Sequence, residues 1–259
     1  MKNNISTLKK LQLQYKQSNL NYKLPVILGI DESGETEFAD LTVLKHILMT
    51  GSSGSGKSMF LHTIIYNFIQ SFSPHEITFI LVDMKLVELT IYEGSPYLLT
   101  PPIADKDKFY SAIKWVAAEK QYRMEDKEKV EKGPYIVVII DTFSDLMTDE
   151  DNDFQEFLKL LLDGAADLKI HFIMSDSRTS PEVFTADIRN LFPTKICFSV
   201  ADAGYSKLLI GKSGGEDLKG NGDMLFSQQG SKEIIRLQAP FVPYDEMDKL
   251  LEFIRSKDS

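Results

Sequence analysis

Apolar positions along this chain follow two rhythms, and their alternation predicts a fold before any chemistry is considered. Continuous apolar or β-branched runs, the mark of strands covered on both faces, fall at residues 46–50, 77–83, 135–141, 170–175 and 194–200. Between them the spacing changes to the helical period. Residues 59–69 read as a largely buried helix, residues 105–124 carry Phe109, Ile113, Val116, Ala117 and Tyr122, and residues 152–168 turn Phe154, Phe157, Leu158, Leu161 and Leu162 inward. The alternation from residue 41 to 200 predicts an α/β fold: a parallel, twisted sheet with helices on both faces and right-handed crossovers. In such a sheet a ligand sits at the carboxyl ends of the strands.

The flanks read differently. Residues 24–31 and 36–41, joined by Glu32-Ser33-Gly34-Glu35, predict an N-terminal β-hairpin. Asp223-Met224-Leu225-Phe226 and Ile234-Ile235-Arg236-Leu237 predict a C-terminal one, after a loop bracketed by Gly214, Gly215, Gly220 and Gly222. A last helix over 243–255 places Met247, Leu250, Leu251 and Ile254 on one face. At the other end, Ile5, Leu8, Leu11 and Leu13 among lysines and glutamines make a weak amphipathic helix, either packed on a neighbouring subunit or left as a solvated tail. The charged run 125–132 reads as a solvated extension or loop. No Pro/Gly/Ser-rich linker follows residue 25, so the chain divides into a helical segment over 1–23 and one domain over 24–259.

Composition adjusts this picture only slightly. Hydrophobic residues at 43% and charged residues at 26% of 259 are ordinary for a soluble globular protein. No apolar run approaches the roughly 18 residues that span a bilayer, and no signal-peptide core follows the first lysines, so the expected location is cytoplasmic. The single cysteine, Cys197, lies in a strand-like run and reads as a buried structural thiol; no Cys/His spacing suggests zinc. A net charge of −9 argues against a broad basic footprint for nucleic acid. A few loop residues per subunit of a ring still suffice to grip a phosphate backbone.

The chemistry is concentrated in two motifs. Gly51-Ser52-Ser53-Gly54-Ser55-Gly56-Lys57-Ser58 reads G-x-x-x-x-G-K-S between a strand and a helix, the order a phosphate-binding loop requires. Glycines let backbone N–H groups turn toward a β-phosphate, and the following helix adds the positive end of its dipole. Lys57 then reaches the β- and γ-phosphates of ATP, and the Ser58 hydroxyl ligates Mg²⁺. The apolar run 135–140 ends in Asp141, whose carboxylate gives a second ligand for the metal, directly or through water. His171 heads an apolar strand and reads as structural.

Further stretches resemble the motor domain of the FtsK/SpoIIIE family of DNA-pumping ATPases, from about residue 24 to about residue 242. They include Val82-Asp83-Met84-Lys85-Leu86-Val87-Glu88-Leu89 with Tyr92-Glu93-Gly94, Pro96-Tyr97-Leu98-Leu99-Thr100, Phe143-Ser144-Asp145-Leu146-Met147, Pro193-Thr194-Lys195-Ile196 and Gly220-Asn221-Gly222-Asp223-Met224-Leu225. The resemblance implies a RecA-like P-loop NTPase fold, a hexameric homo-oligomeric ring with ATP at subunit interfaces, and double-stranded DNA in the pore. Three positions depart from the family pattern. Thr142 stands where a glutamate polarises the attacking water, Ser177 replaces a sensor glutamine ahead of a matching Arg178, and Lys207 replaces an arginine that reaches a neighbour's nucleotide. A threonine cannot act as a base, which costs a factor of roughly a hundred to ten thousand in rate. Asp145 and Asp176 are the acids available to substitute. The chain as read also carries no membrane anchor and no C-terminal winged-helix module. Three functions therefore remain open: a DNA-translocating motor subunit, a nucleotide-binding assembly protein with vestigial hydrolysis, and an ATPase that moves a protein partner as secretion-system ATPases do.

Overall fold

The computed structural model describes residues 7–146, 152–178, 180–231 and 233–256. In chain order, α1 (Leu8–Gln17) precedes the hairpin of β1 (Pro25–Asp31) and β2 (Thr36–Asp40), and the turn α2 (Leu41–Leu44) leads to β3 (Ile47–Thr50), α3 (Lys57–Ser71) and β4 (Ile77–Asp83). Next come α4 (Lys106–Met124), α5 (Lys127–Lys132), β5 (Tyr135–Asp141), α6 (Asn152–Leu162), β6 (Ile170–Asp176), α7 (Ala186–Leu191) and β7 (Thr194–Phe198). The chain ends with α8 (Ala203–Ile210), the hairpin β8 (Asp223–Gln228) and β9 (Ile234–Gln238), and α9 (Tyr244–Ser256).

Local capping sets several helix starts: the side chains of Asp105, Thr185 and Asp202 accept from the backbone amides of Lys108, Ile188 and Gly204. Other boundaries differ from the sequence pattern. The helix expected over 152–168 stops at Leu162, because Gly164 turns the chain at φ 68° before a separate turn over Ala166–Leu168. The inward placement expected of Phe154 lies outside the described side chains. The charged run 125–132 contains the short helix α5, which buries nothing and is braced by Lys129–Glu125 and Lys132–Glu128 pairs at 2.7 and 2.8 Å.

The described strands form one sheet in the order β2-β1-β9-β8-β7-β3-β6-β5-β4. Strands β7, β3, β6, β5 and β4 run parallel, as their continuous apolar runs require. Beyond β7 every pairing is antiparallel, and β1 pairs with β9 so that both terminal hairpins extend the same sheet. The sheet is therefore mixed. At the far edge, residues 97–103 bridge onto β4 through Phe79–Leu98 and Val82–Ile103 and cover its free backbone groups.

Side chains alternating along β4 divide the core in two. Phe79 and Leu81 join one cluster with α3, α9 and Leu8 and Leu11 of α1. Ile80 and Val82 join the other, with α4, α6, α7 and α8. Helix α1 thus packs on its own chain, with Leu8 1% and Leu11 0% exposed, which neither sequence alternative anticipated. Cys197 is buried in β7, and burial pushes its thiol up to about 12, as expected of a structural residue. Among the described residues, no helix is long and apolar enough to cross a membrane.

Strand register prepares the site. Thr50 pairs with Asp176, Ser175 with Asp141, and Asp141 with Asp83, so β3, β6, β5 and β4 all end in one row. That row collects Thr50, Asp83, Asp141, Ser175 and Asp176.

Candidate functional site

The loop between β3 and α3 is held from two sides. The Ser52 amide donates to the Ser199 carbonyl at 2.8 Å, and the Gly222 amide donates to the Ser55 carbonyl at 2.8 Å. Gly56 adopts φ 111°, and a Cβ there would stand 2.4 Å from the Gly222 nitrogen, so no side chain fits. The loop bracketed by Gly220 and Gly222 therefore buttresses the phosphate loop. Helix α3 starts immediately after Gly56 with no side-chain cap, which leaves its first amides free for an anion. The Ser55 hydroxyl is buried without a partner. Lys57 is 7% exposed and donates to the carbonyls of Gly51 and, at 3.1 Å, Ser52. Burial holds its ammonium below the usual lysine range, while Asp141, Asp176 and Glu88 pull it back upward.

Four acids near the strand ends have separate fates. Asp141 accepts from the Ser175 hydroxyl, and burial holds its carboxyl above the usual range against that bond and the charge of Lys57. Asp176 accepts the amides of Ser144 at 2.6 Å and Arg178 at 2.7 Å, so it ties two loops together. Asp145 pairs with Lys85 at 3.4 Å and Arg178 at 3.5 Å. Asp83, 2% exposed, accepts four amides: Lys85 at 3.1, Val87 at 2.9, Glu88 at 2.8 and Leu89 at 3.0 Å. Thr142 follows Asp141 with φ 57° and ψ 61°, a conformation rare for a β-branched residue.

A cleft of about 820 Å³ opens over this row. It brings Ser53, Gly54, Gly56, Lys57 and Ser58 together with Asp141, Thr142 and Ser177. Gly51, Ser52 and Ser55 belong to the same loop without lining the cleft. Arg178 and Lys207 do not line it either; Arg178 is exposed at its rim beside Asp145, and Lys207 is exposed on α8. Sequence reasoning gave no site role to Glu88, His62, Phe241 or Tyr244, which do line it. The signal for Glu88 was its place just past the carboxyl end of the strand after the phosphate-loop helix.

The residues present fit a magnesium nucleotide. Free helix amides and the unpartnered Ser55 hydroxyl suit an anion, and Asp141 and Ser58 supply two hard oxygens. Among the described residues, no group of three acidic, histidine or cysteine side chains could hold a metal by itself. Mg²⁺ takes one or two protein oxygens, which Ser58 and Asp141 would supply, and completes its shell with phosphate and water.

Similarity to known proteins places this geometry. The FtsK/SpoIIIE family profile matches residues 7–129. The chain is 35% identical over 253 residues to DNA translocase FtsK of Leptospira interrogans, covering 90% of this chain and 27% of that protein. It is 36% identical over 252 residues to DNA translocase SftA of Bacillus subtilis, covering 90% and 26%. The chain belongs to the FtsK/SpoIIIE family. It spans about a quarter of the length of those two relatives, and 34% of DNA translocase FtsK of Chlamydia trachomatis, to which it is 32% identical over 269 residues. Solved structures agree on the fold. The pCW3 conjugation coupling protein TcpA, solved as a monomer with ATPgS, superposes with TM-score 0.76 at 23% identity, covering 90% of this chain and 71% of that one. The type VII secretion ATPase EccC of Thermomonospora curvata gives 0.78 at 19% identity, covering 96% and 34%. The FtsK/SpoIIIE chain therefore has the fold of P-loop ATPase motor domains.

Proposed function

We propose that this chain binds Mg·ATP in the cleft at the strand ends and serves as an FtsK/SpoIIIE-type motor subunit acting on double-stranded DNA within a homo-oligomeric, hexameric ring. One observation carries the reading: the phosphate loop, Lys57, Ser58 and Asp141 converge in a single cleft. The amides at the start of α3 bind and orient the phosphates, Lys57 neutralises their charge, and Ser58 and Asp141 hold Mg²⁺, which supplies further charge neutralisation when bound. In such a ring Lys207, exposed on α8 outside the cleft lining, would serve a neighbouring subunit's nucleotide, with Arg178 at the rim of its own cleft. Names of the relatives support DNA as the substrate; secretion ATPases among the structural neighbours keep a protein substrate as the competing outcome. The test is phosphate release from concentrated protein with and without double-stranded DNA. Stimulation of about tenfold or more is expected; no stimulation at concentrations where the protein oligomerises removes the translocase reading.

Thr142 favours a second reading, in which bound ATP organises an assembly and is not turned over. The same assay separates the two: phosphate release no higher than that of Lys57→Ala, with ATP still bound by the unaltered protein, selects the assembly role.

A further inference from the structure

Three acids line the cleft, and two are already committed. Asp83 is surrounded by four backbone amides that use its oxygens. Asp141 stands beside Ser175 and is the carboxylate assigned to the metal. Asp176 and Asp145, the substitutes offered by sequence, are occupied by Ser144 and Arg178 amides and by the Lys85 and Arg178 cations. The third acid of the cleft is Glu88.

Its backbone is fixed. Asp83 draws the amides of residues 85 and 87–89 around one carboxylate, Leu86 takes φ 52° to allow it, and buried Leu89 and Tyr92 anchor the far side. Its side chain points at the start of α3. The Glu88 Oε2 lies 3.7 Å from His62 Nε2, and Glu88 shares the cleft lining with Ser58, Lys57 and Asp141; His62, Ser58 and Lys57 hold its carboxyl below the usual range. His62 is itself steadied by the Tyr92 hydroxyl, 3.0 Å from Nδ1. The side chain keeps 37% of its surface open to the cleft, unlike the buried Asp83.

We infer that Glu88 is the carboxylate that orients and deprotonates the water attacking ATP, in place of the glutamate missing at Thr142. The inference rests on the nucleotide reading above. The bond formed joins the water oxygen to the γ-phosphorus, and the bond broken joins that phosphorus to the β–γ bridging oxygen. ADP leaves with the electron pair, and the proton taken by Glu88 returns to the released phosphate. An acid from the loop after β4 thus stands at the cleft beside the strand end that offers Thr142.

The test compares the unaltered protein with Glu88→Gln and Glu88→Asp in three measurements: thermal melting, ATP and ADP affinities, and single-turnover hydrolysis with recovery of the bound nucleotide. Glu88→Gln keeps the melting midpoint and slows hydrolysis by about a hundredfold or more, so that the nucleotide recovered is ATP. It also raises the ratio of ATP to ADP affinity about threefold or more, since a carboxylate beside the γ-phosphate repels charge that ADP lacks. Glu88→Asp, which keeps the charge one methylene further back, holds its fold and loses about tenfold or more in rate. Hydrolysis at the unaltered rate in either variant, or an unchanged affinity ratio, overturns the assignment. So does an unaltered protein that binds ATP and releases no phosphate. Failure of the unaltered protein to bind ATP removes the nucleotide site itself, a result the affinity measurement separates from the others.

Discussion

Strands β4 and β5 lie side by side in parallel register, and each ends in an aspartate, Asp83 and Asp141. The loops that follow use these acids in opposite ways. After β4 the carboxylate gathers four amides and builds a tight turn that presents Glu88. After β5 the carboxylate takes the Ser175 hydroxyl and stays at the cleft, while the next residue, Thr142, holds a left-handed conformation and offers no base. The same residue at equivalent strand ends is a scaffold in one place and a candidate ligand in the other. The difference lies in which backbone amides the loop directs at it.

The largest expected effect comes from removing each aspartate in turn. Asp83→Ala leaves four amides without their charged acceptor and destabilises the fold by about 3 kcal/mol in denaturant unfolding. Asp141→Ala removes one hydrogen-bond acceptor and a buried charge, and costs about 1 kcal/mol or less. Equal losses in the two variants break the comparison. A smaller effect is expected at Thr142, whose positive φ stores strain of order 1 kcal/mol. Thr142→Gly raises the unfolding free energy by up to about 1 kcal/mol, read as a higher denaturant midpoint with an unchanged slope. A drop of similar size shows instead that contacts of the Thr142 side chain hold the loop.

Much of the site was legible in sequence because its chemistry is local. Eight consecutive residues define the phosphate loop, and an apolar run ending in Asp141 defines the neighbouring strand end. The parallel strands were legible for the same reason, since burial on both faces leaves a continuous apolar run. What escaped depends on long-range geometry. That β1 pairs with β9 follows from neither hairpin alone. Leu8 and Leu11 gave too short a stripe to show that α1 packs on its own core. The contrast between Asp83 and Glu88 arises from a turn at Leu86 that no spacing rule announces, so the acid read as part of a strand end became scaffold and an acid in a loop became a cleft residue. Gly222 was visible as a loop glycine, but its contact with Gly56 came only from the fold.

Everything proposed for this chain depends on Lys57 and the loop around it holding ATP. Titration of a fluorescent ATP analogue, with magnesium, into the unaltered protein and Lys57→Ala measures that directly. Saturable binding by the unaltered protein and a loss of about a hundredfold or more in the variant is the predicted result. Equal affinity in the two proteins would contradict the site.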